Sequence, residues 1–406
     1  MTIPARAVEQ AFLPVRRQPR RKFTTVCAPR SAIGWLVWLV ASLLVFLAPA
    51  ATSLQAQEID KPLQSIDDEI TAFAFSPDGR IVYSVNRGFK TKQYDLEHDD
   101  IWIQEAGGKR RRIFQGEKFL RGTQPFTYVV DSFRWSPSGK YLLAQLFTTT
   151  VLDESGKTED SVNTLALEDN GREARPGGTD SFIQNASDAM WLADSSTFVY
   201  LTEVLKPRVL FSFRYNNLKT GPAGPAFEGR TFLDADPLPR TNVAIAVERD
   251  RAMSGPPRLQ RLDMLAQDDK ELATLDGYEG GLCVSPSGHR VAYFIDKEIL
   301  EVRDLENPAR AARLRVGFGV VRFSPDDSRI FVKHAPEKKS GDLVMFAAPE
   351  LSASSAAKQP EVLQPDTISL LHGLAIREFA ISPDGRLFAV VPPGKRNLLI
   401  FSYPSR

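Results

Sequence analysis

Apolar and polar positions along this chain repeat one short pattern of strand, turn and strand. The clearest copies are TAFAFSPDGRIVYSV (71–85), SFRWSPSGKYLLAQL (132–146) and REFAISPDGRLFAVV (377–391). Each has a short apolar run, then Ser-Pro-Asp/Ser-Gly, then an apolar or alternating run. Proline fixes φ at the second turn position, Asp or Ser bonds to its own backbone, and Gly accepts a positive φ. The motif therefore predicts a tight β-hairpin.

Four further copies of the pattern are less regular. Residues 281–295 and 320–334 keep the motif with small changes, whereas 189–203 and 232–248 keep only the spacing of apolar runs. In the last copy, we expect Asp236-Pro237 to form the turn. The seven turns then fall at 76, 136, 192, about 236, 285, 324 and 382, a mean spacing of about 51 residues. The motif residues to which we assign a structural role in turns are Ser76, Pro77, Asp78, Gly79, Ser136, Pro137, Gly139, Ser285, Pro286, Gly288, Ser324, Pro325, Asp326, Ser382, Pro383, Asp384 and Gly385.

Two more strands per repeat complete the pattern. A third apolar run follows each hairpin, as at 299–302 and 398–401, and a shorter fourth run precedes the next turn, as at 311–316. Four antiparallel strands in each repeat of about 40–50 residues are typical of β-propeller blades. The last repeat has only three strands, and 59–66 precedes the first turn. We predict an all-β, seven-bladed β-propeller of four-stranded antiparallel blades over 57–406, closed by pairing the N-terminal strand with the last blade.

The first 56 residues are typical of a targeting segment. Residues 1–30 contain seven basic side chains and one acidic side chain, and no charged residue occurs from Ser31 to Gln57. A basic lead, an apolar stretch and small residues indicate a secretory signal peptide. The alternative is an N-terminal membrane anchor through residues 33–51, because that run approaches the length that spans a bilayer. Either predicts an extracytoplasmic protein, periplasmic or secreted.

Composition and charge restrict the classes of protein and of partner that are compatible with the sequence. The chain has 406 residues, 43% of them apolar, which excludes wholesale disorder. Residues 57–406 contain five more acidic than basic side chains, so we expect no nucleic-acid partner. Cys283 is the only cysteine after the leader and lies between apolar neighbours. We expect it to be a small buried residue rather than a reactive thiol.

The repeats resemble a known group of propellers. FSPDGR followed by an apolar strand is similar to the WD40-like repeat of TolB-type β-propellers, across essentially all of 58–406. Residues 92–103, KQYDLEHDDIWI, also resemble the propeller part of prolyl oligopeptidase-like proteins. Those enzymes carry an α/β-hydrolase domain, but no G-x-S-x-G nucleophile motif occurs in this chain. The resemblance therefore implies the propeller without the peptidase.

Metal and other charged sites have weak support in the sequence. His98, His289, His334 and His372 occupy different strand positions, so we expect surface or edge histidines, no metal site and no cofactor. The acidic residues between Asp95 and Asp100 lack EF-hand spacing and are interpreted as a solvated turn. The basic run at 109–112 is interpreted as a hairpin that protects a sheet edge. Residues 116–130 and 148–160 are interpreted as long loops suited to binding.

Two functions are consistent with these features. The first is a non-catalytic scaffold that binds a protein or peptide in the cell envelope. The alternative is a hydrolase or lyase that acts on a lactone or carbohydrate in the propeller channel, which requires charged groups that converge at one point. No catalytic residue is assigned, and the sequence does not set the oligomeric state. The innermost-strand residues that we select as candidates for the channel are Asp131, Arg134, Asp188, Asp234, Arg322 and Glu378.

Overall fold

The computed structural model describes most of the predicted propeller. The described ranges are 61–90, 95–116, 126–151, 158–174, 182–205, 210–252, 254–336, 339–353, 360–371, 375–394 and 397–403. The predicted signal peptide or anchor lies outside these ranges. Within them, no helix is long and apolar enough to cross a bilayer.

Blades 1 to 3 follow one another along the chain, and their strands are given from the centre of the ring outward. Blade 1 contains β2 (Ile70–Phe75), β3 (Ile81–Lys90), β4 (Asp95–Gln104) and β5 (Arg110–Phe114). Blade 2 contains β6 (Phe126–Trp135), β7 (Tyr141–Val151), β8 (Thr158–Glu168) and β9 (Phe182–Ile183). Blade 3 contains β10 (Ser187–Trp191), β11 (Thr197–Leu205), β12 (Leu210–Asn217) and β13 (Gly221–Ala226).

Blades 4 to 6 have the same order. Blade 4 contains β14 (Phe232–Pro237), β15 (Val243–Glu248), β16 (Arg258–Asp263) and β17 (Asp268–Thr274). Blade 5 contains β18 (Gly280–Val284), β19 (Arg290–Phe294), β20 (Ile299–Asp304) and β21 (Arg310–Arg315). Blade 6 contains β22 (Val320–Phe323), β23 (Arg329–Lys333), β24 (Leu343–Ala347) and β27 (Ile368–Ser369), and its outer connection adds β25 (Ser352–Ala353) and β26 (Val362–Leu363) to the edge of blade 5.

Blade 7 closes the ring. It contains β28 (Glu378–Ile381), β29 (Leu387–Val391) and β30 (Leu398–Ser402), and its fourth strand is β1 (Gln64–Ile66) from the start of the described chain. The two strands are antiparallel, with Ile66 opposite Leu398 and Gln64 opposite Ile400. This pairing confirms the predicted closure and removes two sheet edges.

Apolar packing between the blades also forms a closed circle. Among the described residues, seven buried clusters each join one blade to the next, from blades 1 and 2 round to blades 7 and 1. The last of these packs Ile70 and Tyr83 of blade 1 against Ala389 and Leu398 of blade 7. The second strand of a blade, as in β19, β23 and β29, therefore buries both faces, one against each neighbouring blade, as its near-continuous apolar sequence predicts. The predicted seven-bladed all-β propeller is confirmed.

The Ser-Pro motif forms the turn between the first two strands of a blade. In blade 1, the Ser76 N–H donates to Arg80 O at 2.8 Å and the Gly79 N–H donates to Ser76 O at 3.0 Å. The buried Ser76 hydroxyl accepts the Arg80 N–H at 2.8 Å. Gly79 has φ +84°, and in blade 6 Asp327 takes this position with φ +58°. The motif is thus a backbone structure in which the serine hydroxyl replaces a missing backbone acceptor.

The turn of blade 4 does not lie where the sequence predicted. Asp236 and Pro237 are the last residues of β14. The turn begins at Leu238, whose N–H donates to Val243 O at 2.8 Å, and the Thr241 N–H returns to Leu238 O at 3.2 Å. The repeat position is therefore 238 rather than 236. The error arose because Asp-Pro is itself a common turn sequence, and blade 4, like blade 3 with Leu192, lacks the serine that marks the position in the other five blades.

Blade 1 corrects two further predictions. Residues 95–100 belong to β4, with Asp99 and Asp100 buried, so they are not a solvated turn. His98 is also buried, although surface or edge histidines were predicted; His289 and His334 are exposed, and His372 lies outside the described residues. Local charge density predicted water contact here, but the strand is covered by blade 2, which sequence proximity does not reveal.

Candidate functional site

A cavity of about 620 Å³ lies at the centre of the ring. Its lining comes from all seven innermost strands, β2, β6, β10, β14, β18, β22 and β28. Phe318, which precedes β22, and Pro336, which follows β23, also line the cavity. A cavity bounded by every blade is the central channel of the propeller.

The charged residues of the channel form two layers along its axis. Alternate residues of a strand face the same side, so Asp234 and Asp236, four and two residues before the turn of blade 4, both face the channel. The acidic layer, four or five residues before the turn, consists of Asp131, Asp188, Asp234 and Glu378. The arginine layer, two residues before the turn, consists of Arg134, Asp236 and Arg322.

Two members of the acidic layer share one amide side chain. Gln145 of β7 donates from Nε2 to Asp131 Oδ2 at 3.0 Å. The Oε1 of the same amide accepts the Asp188 backbone N–H at 2.7 Å. Asp131 lies at a bulge between Val130 and Ser132, which turns its side chain into the channel. Gln145 therefore ties the inner edges of blades 2 and 3 together.

Asp234 of the acidic layer has a raised pKa. The Tyr278 hydroxyl donates to Asp234 Oδ2, and the Ala235 N–H donates to Oδ1 at 2.8 Å. Burial raises the pKa of Asp234 to about 7; the charges of Asp188 and Asp236 add to the increase, and the Tyr278 bond opposes it. Burial and the same aspartate raise the pKa of Tyr278 well above its usual range. Near neutral pH, Asp234 therefore exists in both protonation states.

The arginine layer is held by ion pairing and backbone contacts. Arg134 Nη1 lies 3.6 Å from Asp236 Oδ1, and the Val284 N–H donates to Asp236 Oδ2 at 2.8 Å. Burial raises the pKa of Asp236, while Arg134 and Arg322 oppose that increase. Arg322 also donates from Nη1 to Val321 O at 2.9 Å. Asp236 thus lies between two guanidinium groups.

Cys283 lies on the channel lining beside the arginine layer. The residue is buried, as the sequence predicted, and belongs to the apolar cluster between blades 5 and 6. Burial, with the charge of Asp236, raises the pKa of its thiol to about 12. It is therefore a neutral thiol at physiological pH, and thiolate chemistry is not accessible to it.

All six channel candidates from the sequence line this one cavity. The motif serines, by contrast, lie in the turns at one end of the strands. The sequence missed Asp236, which it assigned to the turn, although Asp-Ala-Asp at 234–236 has the alternation of two channel-facing positions. Nothing in the sequence marked Gln145 or Tyr278, because they lie on a second strand and on a connection. A binding role for these residues stays a prediction.

The described residues offer no other centre for chemistry. No group of three or more His, Cys, Asp and Glu side chains in the described ranges is arranged to hold a metal ion. His289 pairs with Glu306 at 3.1 Å on the exposed surface. In the basic run at 109–112, residues 110–112 belong to the outer strand β5, where Arg111 pairs with Glu105 and Arg112 with Asp100.

Blade 2 has an exposed apolar stripe across three strands. Its strands β7 and β8 have 11 residues each, so much of the predicted 148–160 loop is strand. Phe147 lies opposite both Val129 and Val162, and 47% of Phe147 is exposed. Because β6 begins and β7 ends on the side away from the Ser-Pro turns, this stripe lies at the end of the ring where the acidic layer opens.

Comparison with known proteins agrees with this architecture. No sequence model of a protein family matches the chain, and no curated protein matches it. The solved structure of the β-propeller domain of Cps50 (Swd1) from Myceliophteria thermophila matches with a TM-score of 0.51 and 12% identity, over 84% of this chain and 99% of that one. At this identity the likeness shows the fold alone. The chain is a seven-bladed β-propeller, and the Cps50 (Swd1) β-propeller domain is among its structural neighbours.

Proposed function

We propose that this protein is a non-catalytic scaffold of the TolB type, exported to the cell envelope, that binds a protein or peptide partner. The observation that carries the proposal is how the channel charges are held. Asp131 is bonded by Gln145, Asp234 by Tyr278, and Asp236 by Arg134 and the Val284 N–H. These contacts bind the carboxylates to other residues of the ring, and hydrogen-bonded networks of this kind make the ring rigid, as a scaffold requires.

The partner surface in this proposal is the end of the ring where blade 2 is longest. Phe147 with its two cross-strand valines is an exposed apolar stripe next to the acidic mouth of the channel. Apolar side chains with a polar rim are the usual composition of a protein interface. The TolB-type assignment rests on the FSPDGR repeats, and export rests on the basic and apolar leader.

Site-specific crosslinking tests the proposed partner surface. A photoreactive p-benzoylphenylalanine in place of Phe147 is expected to form one discrete crosslinked product in envelope extracts. The matched control is the same replacement at Leu265, which is 60% exposed on a blade 4 hairpin and far in sequence from the stripe. Equal products from both positions, or none from position 147, would contradict the proposal. Protease protection of the chain in intact cells tests export separately.

One observation favours the alternative, a hydrolase or lyase that acts on a lactone or carbohydrate. Asp234 has a pKa of about 7 beside the carboxyl group of Asp188, and two carboxyl groups of this kind suit a general acid paired with a base. In that case Asp234 would protonate a leaving oxygen while Asp188 activates water. Turnover of a lactone or glycoside that disappears in Asp234→Asn, with folding retained, would replace the scaffold proposal.

A further inference from the structure

The two charged layers of the channel have opposite character. The acidic layer contains four carboxyl groups, whereas the arginine layer contains two guanidinium groups and one carboxyl group. Positions two residues apart on a strand are separated by about 7 Å along it. The channel therefore presents negative charge at one level and, about one side-chain length deeper, a site with net positive charge.

The volume and walls of the cavity suit a small molecule. About 620 Å³ lies within the range of known small-molecule sites. Phe73, three residues before the blade 1 turn, lies at a level between the two layers, and Phe318 lines the cavity beside the acidic layer, near Gly280. Phe318 is held by ring contact with Phe294, with centroids 5.1 Å apart, so this part of the wall is fixed.

We propose that the channel binds a basic side chain together with a free carboxylate, the chemistry of lysine or arginine. The cationic group lies in the acidic layer, among Asp131, Asp188 and Glu378. The carboxylate lies towards Arg322 and Arg134, and the methylene stem lies at the level of Phe73. An extended lysine side chain spans a distance similar to the layer separation. Free lysine has two ammonium groups and one carboxylate, and this net positive charge matches the excess of carboxylates in the lining.

Two sources supply this chemistry, a free basic amino acid and the C-terminal residue of a polypeptide. In both, the cation and the carboxylate are required, so a molecule that lacks either group is a matched probe. Norleucine lacks the side-chain cation of lysine, and cadaverine lacks the carboxylate. The site does not depend on the partner proposed for the Phe147 stripe, and its test is separate from the crosslinking experiment.

Isothermal titration of the full chain with these probes tests the site. L-Lysine or L-arginine is expected to bind once per chain, and norleucine and cadaverine about tenfold or more weaker. Tighter binding of the peptide Ala-Ala-Lys than of lysine would assign the site to polypeptide ends, and weaker binding would assign it to the free amino acid. The proposal would be overturned if lysine, arginine and Ala-Ala-Lys all failed to bind. It would also be overturned if norleucine bound as tightly as lysine, or if Ala-Ala-Lys with an amidated C-terminus bound as tightly as Ala-Ala-Lys.

Two variants separate the layers. Arg322→Gln is expected to lower lysine affinity about tenfold and leave the weak cadaverine binding unchanged, because it removes a contact to the carboxylate. Asp188→Asn is expected to weaken both ligands; Asn is the matched choice because Asp188 has φ +47°, which Asn tolerates. Arg386→Gln, an exposed arginine in the blade 7 turn, is the control. Urea midpoints equal to that of the parent establish that the variants fold, and equal loss of both ligands in both variants would refute the two-layer arrangement.

Discussion

The protonation of Asp234 makes the stability of the ring depend on pH. Its pKa rises from 3.8 to about 7 on folding, because burial and the neighbouring Asp188 and Asp236 disfavour its charge. The folded state therefore holds this proton more tightly than the unfolded state. The stabilisation is fully present below about pH 4 and is lost as the pH rises through 7. Stability is then lower at pH 8 than at pH 5.

Asp234→Asn removes the ionisable group, and with it the loss of stability that accompanies ionisation of Asp234 at high pH. A shift of about three pKa units corresponds to at most about 4 kcal/mol, and partial exposure to the cavity reduces the expected value to about 1–2 kcal/mol. The asparagine amide can still accept the Ala235 N–H and donate to the Tyr278 oxygen, so the Tyr278 hydroxyl keeps a hydrogen bond to this side chain but loses the acceptor for its own proton. The variant is expected to be about 1–2 kcal/mol more stable than the parent at pH 8, and this gain should disappear towards pH 4.

Urea unfolding of parent and variant at four pH values between 4 and 8 measures the difference. Asp99 contributes a slope of the same sign, since burial raises its pKa to about 6, but it is common to both proteins and cancels. Asp268→Asn, an exposed carboxylate on β17, is the control and should show no pH-dependent difference. A difference between Asp234→Asn and parent that is constant with pH, or a variant less stable at pH 8, would refute the reasoning.

Three other predictions concern the turns, the ring closure and metal content. Gly79→Val and Gly385→Val should each destabilise the blade by about 1–3 kcal/mol, because φ is +84° at Gly79 and +67° at Gly385. Gly79→Asn should destabilise the blade less, since asparagine tolerates positive φ. Unchanged urea midpoints in the valine variants would contradict this. Ile66→Ala should cost about 2–5 kcal/mol, since Ile66 is fully buried in the closing strand, whereas Leu63→Ala, at a residue 64% exposed, should leave the thermal midpoint unchanged. The purified protein should contain no stoichiometric metal, and elemental analysis that finds one zinc, manganese or calcium per chain would contradict this.

The repeat could be predicted because its turn chemistry is local. Ser76, Pro77, Asp78 and Gly79 act through their own backbone, so the same four residues give the same turn wherever they occur. The apolar strands on either side then have one compatible arrangement, a blade packed on both faces. In blade 4, where Leu238 replaces the serine, the turn was misplaced by two residues.

The channel was only partly predictable, because its contacts join strands distant in sequence. Their place on the innermost strands identified Asp131 and Asp234, yet Gln145 and Tyr278 reach them from other elements, 14 and 44 residues away in the chain. Burial of Asp99 was likewise hidden, since it accepts the Val130 N–H of the next blade, 31 residues away. These contacts follow from how blades stack, which strand patterns alone do not encode.

The pairing of β1 with β30 in blade 7 sets when the ring can close during folding. Six blades assemble from neighbouring hairpins, but Ser65 and Asn397, 332 residues apart, meet only when the seventh is formed. Such distant contacts form slowly, so the circle should close last and open first. Until β1 pairs with β30, the open edges of these two strands are exposed to other chains, and that interval is when the protein is most vulnerable to aggregation.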